Sequence, residues 1–203
     1  FKTLFDKGQV YRGLRVMPYS TGLTTPLSNF EAGSNYKEVQ DPAVTVAFVL
    51  RDDPTTAFLA WTTTPWTLPS NLALCVHPDL DYVKIWDEER QRHFILCDKL
   101  LSTVYKDPKK AKIKTVETYK GKDLGGIKFV PLYNYFYEQF KDRAFRVLVD
   151  TYVTAETGTG VVHQAPAFGE DDYRVALEHG VIDKETQPPC PIDESGRFLP
   201  VVT

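Results

Sequence analysis

Hydrophobic positions in this chain fall in short runs rather than long helical stripes. AVTVAFVL (43–50), TAFLAWT (56–62), LALCV (72–76), DYVKIWD (81–87) and RHFIL (92–96) are rich in β-branched and aromatic residues. So are IKTVETY (113–119), IKFVPL (127–132) and AFRVLVD (144–150). Most are bounded by Pro, Gly, Asp or Asn, and each predicts a strand. Helical signals are scarcer. DKLLSTVY (98–105) predicts a short helix. EDDYRVALEH (170–179) predicts a firmer one, with acids in its first turn, His179 in its last and Gly180 just beyond. YNYFYEQF (133–140) fits an aromatic helix or a loop equally well. Many strands with few helices predict an α+β fold, a barrel-like domain with a few peripheral helices.

The two ends break this pattern with turn-rich text such as GLTTPLSN and QPPCPIDE. Residues 1–40 and 181–203 therefore read as connectors around a core at 41–180, pairing as a β-ribbon that links the domain to a parent protein. The opening FKTLFDKGQVYRG has neither an initiator methionine nor a signal-peptide pattern, and reads as a piece of a longer chain.

Composition adds exclusions. With 42% hydrophobic and 25% charged residues, the 203-residue chain is ordinary globular material. Its longest apolar runs are far shorter than the ~20 residues of a membrane span. Three widely spaced cysteines, Cys75, Cys97 and Cys190, argue against a disulfide framework and for a reducing, cytoplasmic compartment. No CxxC or HxxxH pair offers a zinc site. The net charge of −3 gives no global reason to expect nucleic acid. Locally, KDPKKAKIK (106–114) carries five lysines, among them Lys109, Lys110 and Lys112. This run is either a phosphate-contacting face or a solvated, edge-blunting one.

Two segments hold the candidate chemistry. WTTTPWTLPSN (61–71) packs four threonines, two tryptophans and two prolines into eleven positions. Thr64 before Pro65 suits a helix N-cap with proline at N1, so a strand ending at Thr62–Thr63 would run into a short capped turn. The result is an ordinary polar turn or a donor-rich concave site to which Asn71 adds an amide. GTGVVHQAPAFGEDDYRVALEHG (158–180) sets two glycines before a short buried strand, then His163, a Pro-Gly loop, and Asp171 and Asp172 opening the helix. Asp172 reads as a helix cap or as an acid available to a cation, and His163 as a packed histidine or a functional one. GxSxG, the P-loop, HExxH and GxGxxG are all absent.

Together the two segments resemble the editing domain inserted into isoleucyl-tRNA synthetases. The match lies in Thr62, Thr63, Thr64 and Asn71 of the first motif and His163 and Asp172 of the second. Related leucine and valine enzymes typically carry arginine where Thr64 stands. VYRGLRVMPYSTGLTTPLSNFE (10–31) and PIDESGRF (191–198) resemble the segments joining such an insertion to the synthetase body. Phe168 departs from bacterial members, which often carry a second histidine there, and the chain is closer to the eukaryotic cytosolic type.

The resemblance implies hydrolytic editing of Val-tRNA(Ile), and of valyl-adenylate, by a positioned water. Valine lacks one methylene of isoleucine, worth about 1–3 kcal/mol of discrimination; this pair is the general illustration of that limit, not a quantity read from this chain. Asp172 would bind the α-ammonium, His163 would wall the pocket against isoleucine, and Thr62, Thr63 and Thr64 would hold adenosine, ester and water. Trp61 and Asn71 would support the substrate. Partners would be the valine-bearing 3′ end of tRNA(Ile) and the catalytic body of a parent synthetase, with no membrane, from a monomeric protein. Neither HIGH nor KMSKS occurs. ATP and Mg would belong to that absent synthetic site, leaving this domain with no cofactor and no metal. Lys109, Lys110 and Lys112 are the candidate tRNA contacts. The rival reading is a non-catalytic tRNA-docking module built on the lysine face. A metal-dependent hydrolase would lose activity in chelator.

Overall fold

The computed structural model describes residues 1–108 and 110–202. Its strands are β1 (Tyr19–Ser20), β2 (Thr25–Pro26), β3 (Val44–Val49), β4 (Thr56–Thr62), β5 (Ala73–Val76), β6 (Asp81–Asp87), β7 (Arg92–Cys97), β8 (Ile113–Lys120), β9 (Arg146–Val149) and β10 (Val161–Gln164). Seven of the eight predicted runs thus form strands. The exception, 127–132, joins the sheets only through isolated bridges, Leu50–Phe129 and Lys128–Arg146. Pro131 has no N–H to extend a ladder there.

The described strands make two open sheets and a hairpin, not a closed barrel. Five strands run in the order β3-β4-β7-β6-β8, and three in the order β10-β5-β9. Pairing is antiparallel except for β4 with β7 and β5 with β9. The break between sheets follows from the 61–71 text. Beyond Thr62 the chain enters a 3-10 turn over Pro65–Ser70 containing two prolines, and it re-emerges as β5 in the second sheet. Proline cannot donate to a ladder, so β4 cannot continue.

β4 is buried on both faces, which is why its sequence is a nearly unbroken apolar run. Phe58 and Ala60 enter the large core that unites the two sheets with Val175 and Ala176 of the Glu170–Glu178 helix. Ala57 and Leu59 face a smaller cluster with Val83, Ile85, Phe94 and Leu96, covered by Leu101 and Val104. That cover is the predicted 98–105 element, a 3-10 turn (Asp98–Leu100) followed by one helical turn (Leu101–Val104). In the undecided 133–140 stretch only Tyr137–Phe140 is helical.

The ends differ from the core. Residues 1–43 contain no buried side chain. β1 and β2 pair with each other as a short ribbon, and Ile192 bridges Phe198 within the C-terminal segment. The two ends meet where a Cβ on Gly196 would lie 3.0 Å from Thr21.

Candidate functional site

The strand registers bring the two candidate segments together. β10 runs antiparallel to β5, with His163 opposite Leu74 and Gln164 opposite Ala73. The Leu72 N–H extends the ladder to the Gln164 carbonyl at 3.0 Å. Asn71, at the end of the 3-10 turn, is thereby set beside His163. Asn71 Nδ2 lies 2.9 Å from His163 Nδ1 and donates to the Ala73 carbonyl at 2.8 Å. On the other side of the ring, Nε2 is 2.8 Å from Thr67 Oγ1. Both ring nitrogens are engaged, and burial pushes the imidazole down to about 4. His163 is therefore uncharged at neutral pH.

A cleft of about 390 Å³ opens against this cluster, lined by Trp61 to Thr64, Thr67, Tyr152, the 157–163 strand and loop, Phe168 and Asp172. Thr62 is buried; Thr63 and Thr64 stand exposed on the rim. The Thr64 N–H donates to Thr62 Oγ1 at 3.1 Å, and the two hydroxyls are 3.3 Å apart. Thr64 does occupy the N-cap position before Pro65, yet its side chain makes no capping bond. Its carbonyl instead accepts from the Thr67 hydroxyl at 2.9 Å. Pro65 has no N–H and the Thr67 N–H is taken by the Thr64 carbonyl, so the turn offers fewer free backbone donors than its sequence promised.

The opposite wall is fixed by glycines. Gly158 and Gly160 have φ of +75° and +72°. A Cβ on Gly160 would meet Cys97 Cβ at 2.3 Å, and one on Gly158 would meet Trp61 at 3.1 Å. The Tyr82 hydroxyl donates to the Gly160 carbonyl at 2.7 Å, holding the loop to the five-stranded sheet. The Thr103 hydroxyl, shared with the Leu100 carbonyl, lies 2.6 Å from the Gly158 carbonyl and ties the loop to the Leu101–Val104 turn.

Asp172 is not the cap of its own helix. Gly169 holds the N-cap position, and Asp172 Oδ2 accepts the Ala165 N–H at 2.9 Å. A Cβ on Gly169 would sit 2.7 Å from the Asp172 carboxyl carbon, so glycine lets that close approach occur. Desolvation raises the carboxyl to about 6, against the stabilising Ala165 N–H. Asp172 is the one carboxylate lining the cleft among the described residues. A cation bound there would stabilise the carboxylate and offset that desolvation. Neighbouring Asp171 pairs with Arg174 at 3.2 Å, and Arg174 also grips both Asp150 oxygens.

Not every candidate converges. Lys109 lies outside the described residues. Lys112 is exposed and Lys110 pairs with Asp107 at 3.1 Å. β8 pairs Ile113 with Asp87 and Lys120 with Asp81, while β6 pairs Tyr82 with Cys97 at the cleft end. Lys110 and Lys112 therefore sit beyond the far end of the five-stranded sheet, away from the cleft. Two further residues contribute without a distinct signal of their own in the sequence. Thr67 lies within the threonine-rich text but outside the triple threonine that marks the motif. Tyr152 lines the cleft and accepts from Gln164 Nε2, a pairing with no local sequence signal.

A family model for class I tRNA synthetases (I, L, M and V) matches residues 1–157. The chain belongs to that family. It is 60% identical over 198 residues to the cytoplasmic isoleucine--tRNA ligase of Saccharomyces cerevisiae, covering 98% of this chain and 18% of that protein. Against the cytoplasmic isoleucine--tRNA ligase of Mus musculus it is 55% identical over 203 residues, 100% of this chain and 16% of that protein. The synthetase chain thus spans less than a fifth of these relatives. In fold it is similar to GlLeuRS-CP1, with a TM-score of 0.51, 19% identity, and 68% of this chain and 56% of that one covered. The P. knowlesi cytosolic leucyl-tRNA synthetase editing domain gives a TM-score of 0.51 at 13% identity, covering 64% of this chain and 60% of that one.

Proposed function

We propose that this synthetase domain hydrolyses the ester of Val-tRNA(Ile), and also valyl-adenylate, by directing a water at the carbonyl. The observation carrying this reading is that the threonine rim, His163 and Asp172 line one cleft of about 390 Å³. In this reading Asp172 takes the α-ammonium in a charge-assisted hydrogen bond. Thr62 to Thr64 and Trp61 hold the adenosine, ester and water, and His163, braced by Asn71, limits the side chain that can enter. An aminoacyl ester is already activated, so orientation and polarising donors suffice without a covalent nucleophile. The domain works without cofactor or metal, as a monomeric unit within a cytoplasmic synthetase. Residues 41–180 form its editing core, and residues 1–40 and 181–203 carry the chain to and from the catalytic body.

The test compares release of valine from mischarged tRNA by wild type and Asp172→Ala. A folded variant that deacylates at the wild-type rate would remove the role given to Asp172. tRNA binding without any deacylation by wild type would instead favour the docking-module reading.

A further inference from the structure

A chain of hydrogen bonds behind the cleft fixes more than the position of His163. It begins at the Ala73 carbonyl, which β5 holds in place and which accepts from Asn71 Nδ2 at 2.8 Å. Reversing the Asn71 amide would set two oxygens against each other at that distance. It would also leave an NH₂ where the buried Oδ1, already without a partner, now lies. The amide orientation is thereby decided. Asn71 Nδ2 then presents a hydrogen to His163 Nδ1 at 2.9 Å, so Nδ1 must be the unprotonated, accepting nitrogen. The ring proton accordingly resides on Nε2, which donates to Thr67 Oγ1 at 2.8 Å. The Thr67 hydroxyl passes its own hydrogen to the Thr64 carbonyl at 2.9 Å, and Thr64 is part of the substrate rim. Each hydrogen in the series has one acceptor, the two of Asn71 Nδ2 going to Ala73 and His163, and the assignment closes without conflict.

From this we infer that Thr67 is a positioning residue for discrimination. With Asn71 it holds His163 in the single neutral Nε2–H tautomer and ties that ring to the Thr64 backbone, so pocket size and rim geometry are set together. The inference rests on the proposed editing reading for its consequence, but the tautomer itself does not. A neutral imidazole between one donor and one acceptor has a single allowed ring orientation, since a ring flip places carbon against both partners. Thr67→Val keeps the shape of the side chain while removing the acceptor that fixes the ring. Thr67→Ser keeps the hydroxyl.

The experiment is nitrogen-15 NMR of the histidine side chains in the domain, paired with deacylation of Val-tRNA(Ile) and Ile-tRNA(Ile). Wild type should show His163 with a protonated Nε2 and an unprotonated Nδ1 at neutral pH. Thr67→Val should leave the proton on Nε2, where Asn71 still directs it, but abolish the hydrogen-bonded shift of Nε2–H. It should also raise Ile-tRNA(Ile) hydrolysis relative to Val-tRNA(Ile) by about five- to tenfold, the scale of one lost neutral hydrogen bond. Thr67→Ser should restore both readouts. A wild-type His163 protonated on Nδ1 overturns the inference outright, with no reference to activity. So does a Thr67→Val protein with an unchanged Nε2–H shift and an unchanged substrate ratio. Should wild type lack deacylase activity while the Nε2–H tautomer holds, the editing reading fails and the hydrogen-bond assignment stands. If Thr67→Val does not fold, the wild-type spectrum and Thr67→Ser decide the matter.

Discussion

At the residue scale, the cleft sets two titratable groups in opposite directions. Desolvation raises Asp172 to about 6 and lowers His163 to about 4. An ammonium is bound by carboxylate rather than by carboxylic acid, so the competent form of Asp172 accumulates as pH rises through about 6. Deacylation kcat/KM should therefore fall on the acid side of pH 6, and Asp172→Asn should flatten that limb. His163, neutral well below this range, should contribute nothing to it. Loss of the charge-assisted contact in Asp172→Asn should lower kcat/KM about 10- to 100-fold at pH 7.5 in steady-state assays. Single positions were partly legible in the sequence. Asp172, His163 and the triple threonine stood out through their motifs. The Ala165 N–H as the partner of Asp172, and Thr67 as that of His163, did not, because both depend on how a loop folds back on itself.

The elements were read more readily than their terminations. β4 and β6 match their predicted runs residue for residue, since burial of TAFLAWT and the alternation in DYVKIWD leave little choice of period. The 127–132 run has equally good β propensity, but Pro131 and the lack of a continuous neighbour reduce it to two bridges. Barrel closure was likewise beyond the sequence, because propensity does not say which sheet a strand joins after a proline-rich turn. The glycine-bearing wall before β10 makes a prediction at this scale. Gly160→Ala adds a methyl 2.3 Å from Cys97 Cβ at φ +72°, whereas Gly126→Ala at φ +83° meets nothing within 4 Å. Left-handed backbone alone costs about 1–2 kcal/mol. Overpacking adds about 1–3 kcal/mol at Gly160. Urea unfolding should show Gly160→Ala as the more destabilised of the two, and equal midpoints would contradict the packing described.

Across the whole molecule, the cleft lies at one end of the five-stranded sheet and Lys112 beyond the other. Any tRNA contact at Lys110 and Lys112 is thus separate from the chemistry. Reversing both charges should weaken tRNA binding, reduce its salt dependence by about one to two contacts, and leave turnover of saturating Val-tRNA(Ile) within about twofold. Residues 1–43 have no buried side chain and the C-terminal segment packs Val181 and Ile182 into the core, yet neither end lines the cleft. The central claim is that one small cleft distinguishes valyl from isoleucyl ester, and it is tested most directly by supplying both charged tRNAs to the synthetase carrying this domain. Hydrolysis of Val-tRNA(Ile) should be rapid and that of Ile-tRNA(Ile) near the uncatalysed rate, with His163→Ala admitting the latter. Equal hydrolysis of both by wild type, or of neither, would contradict the account.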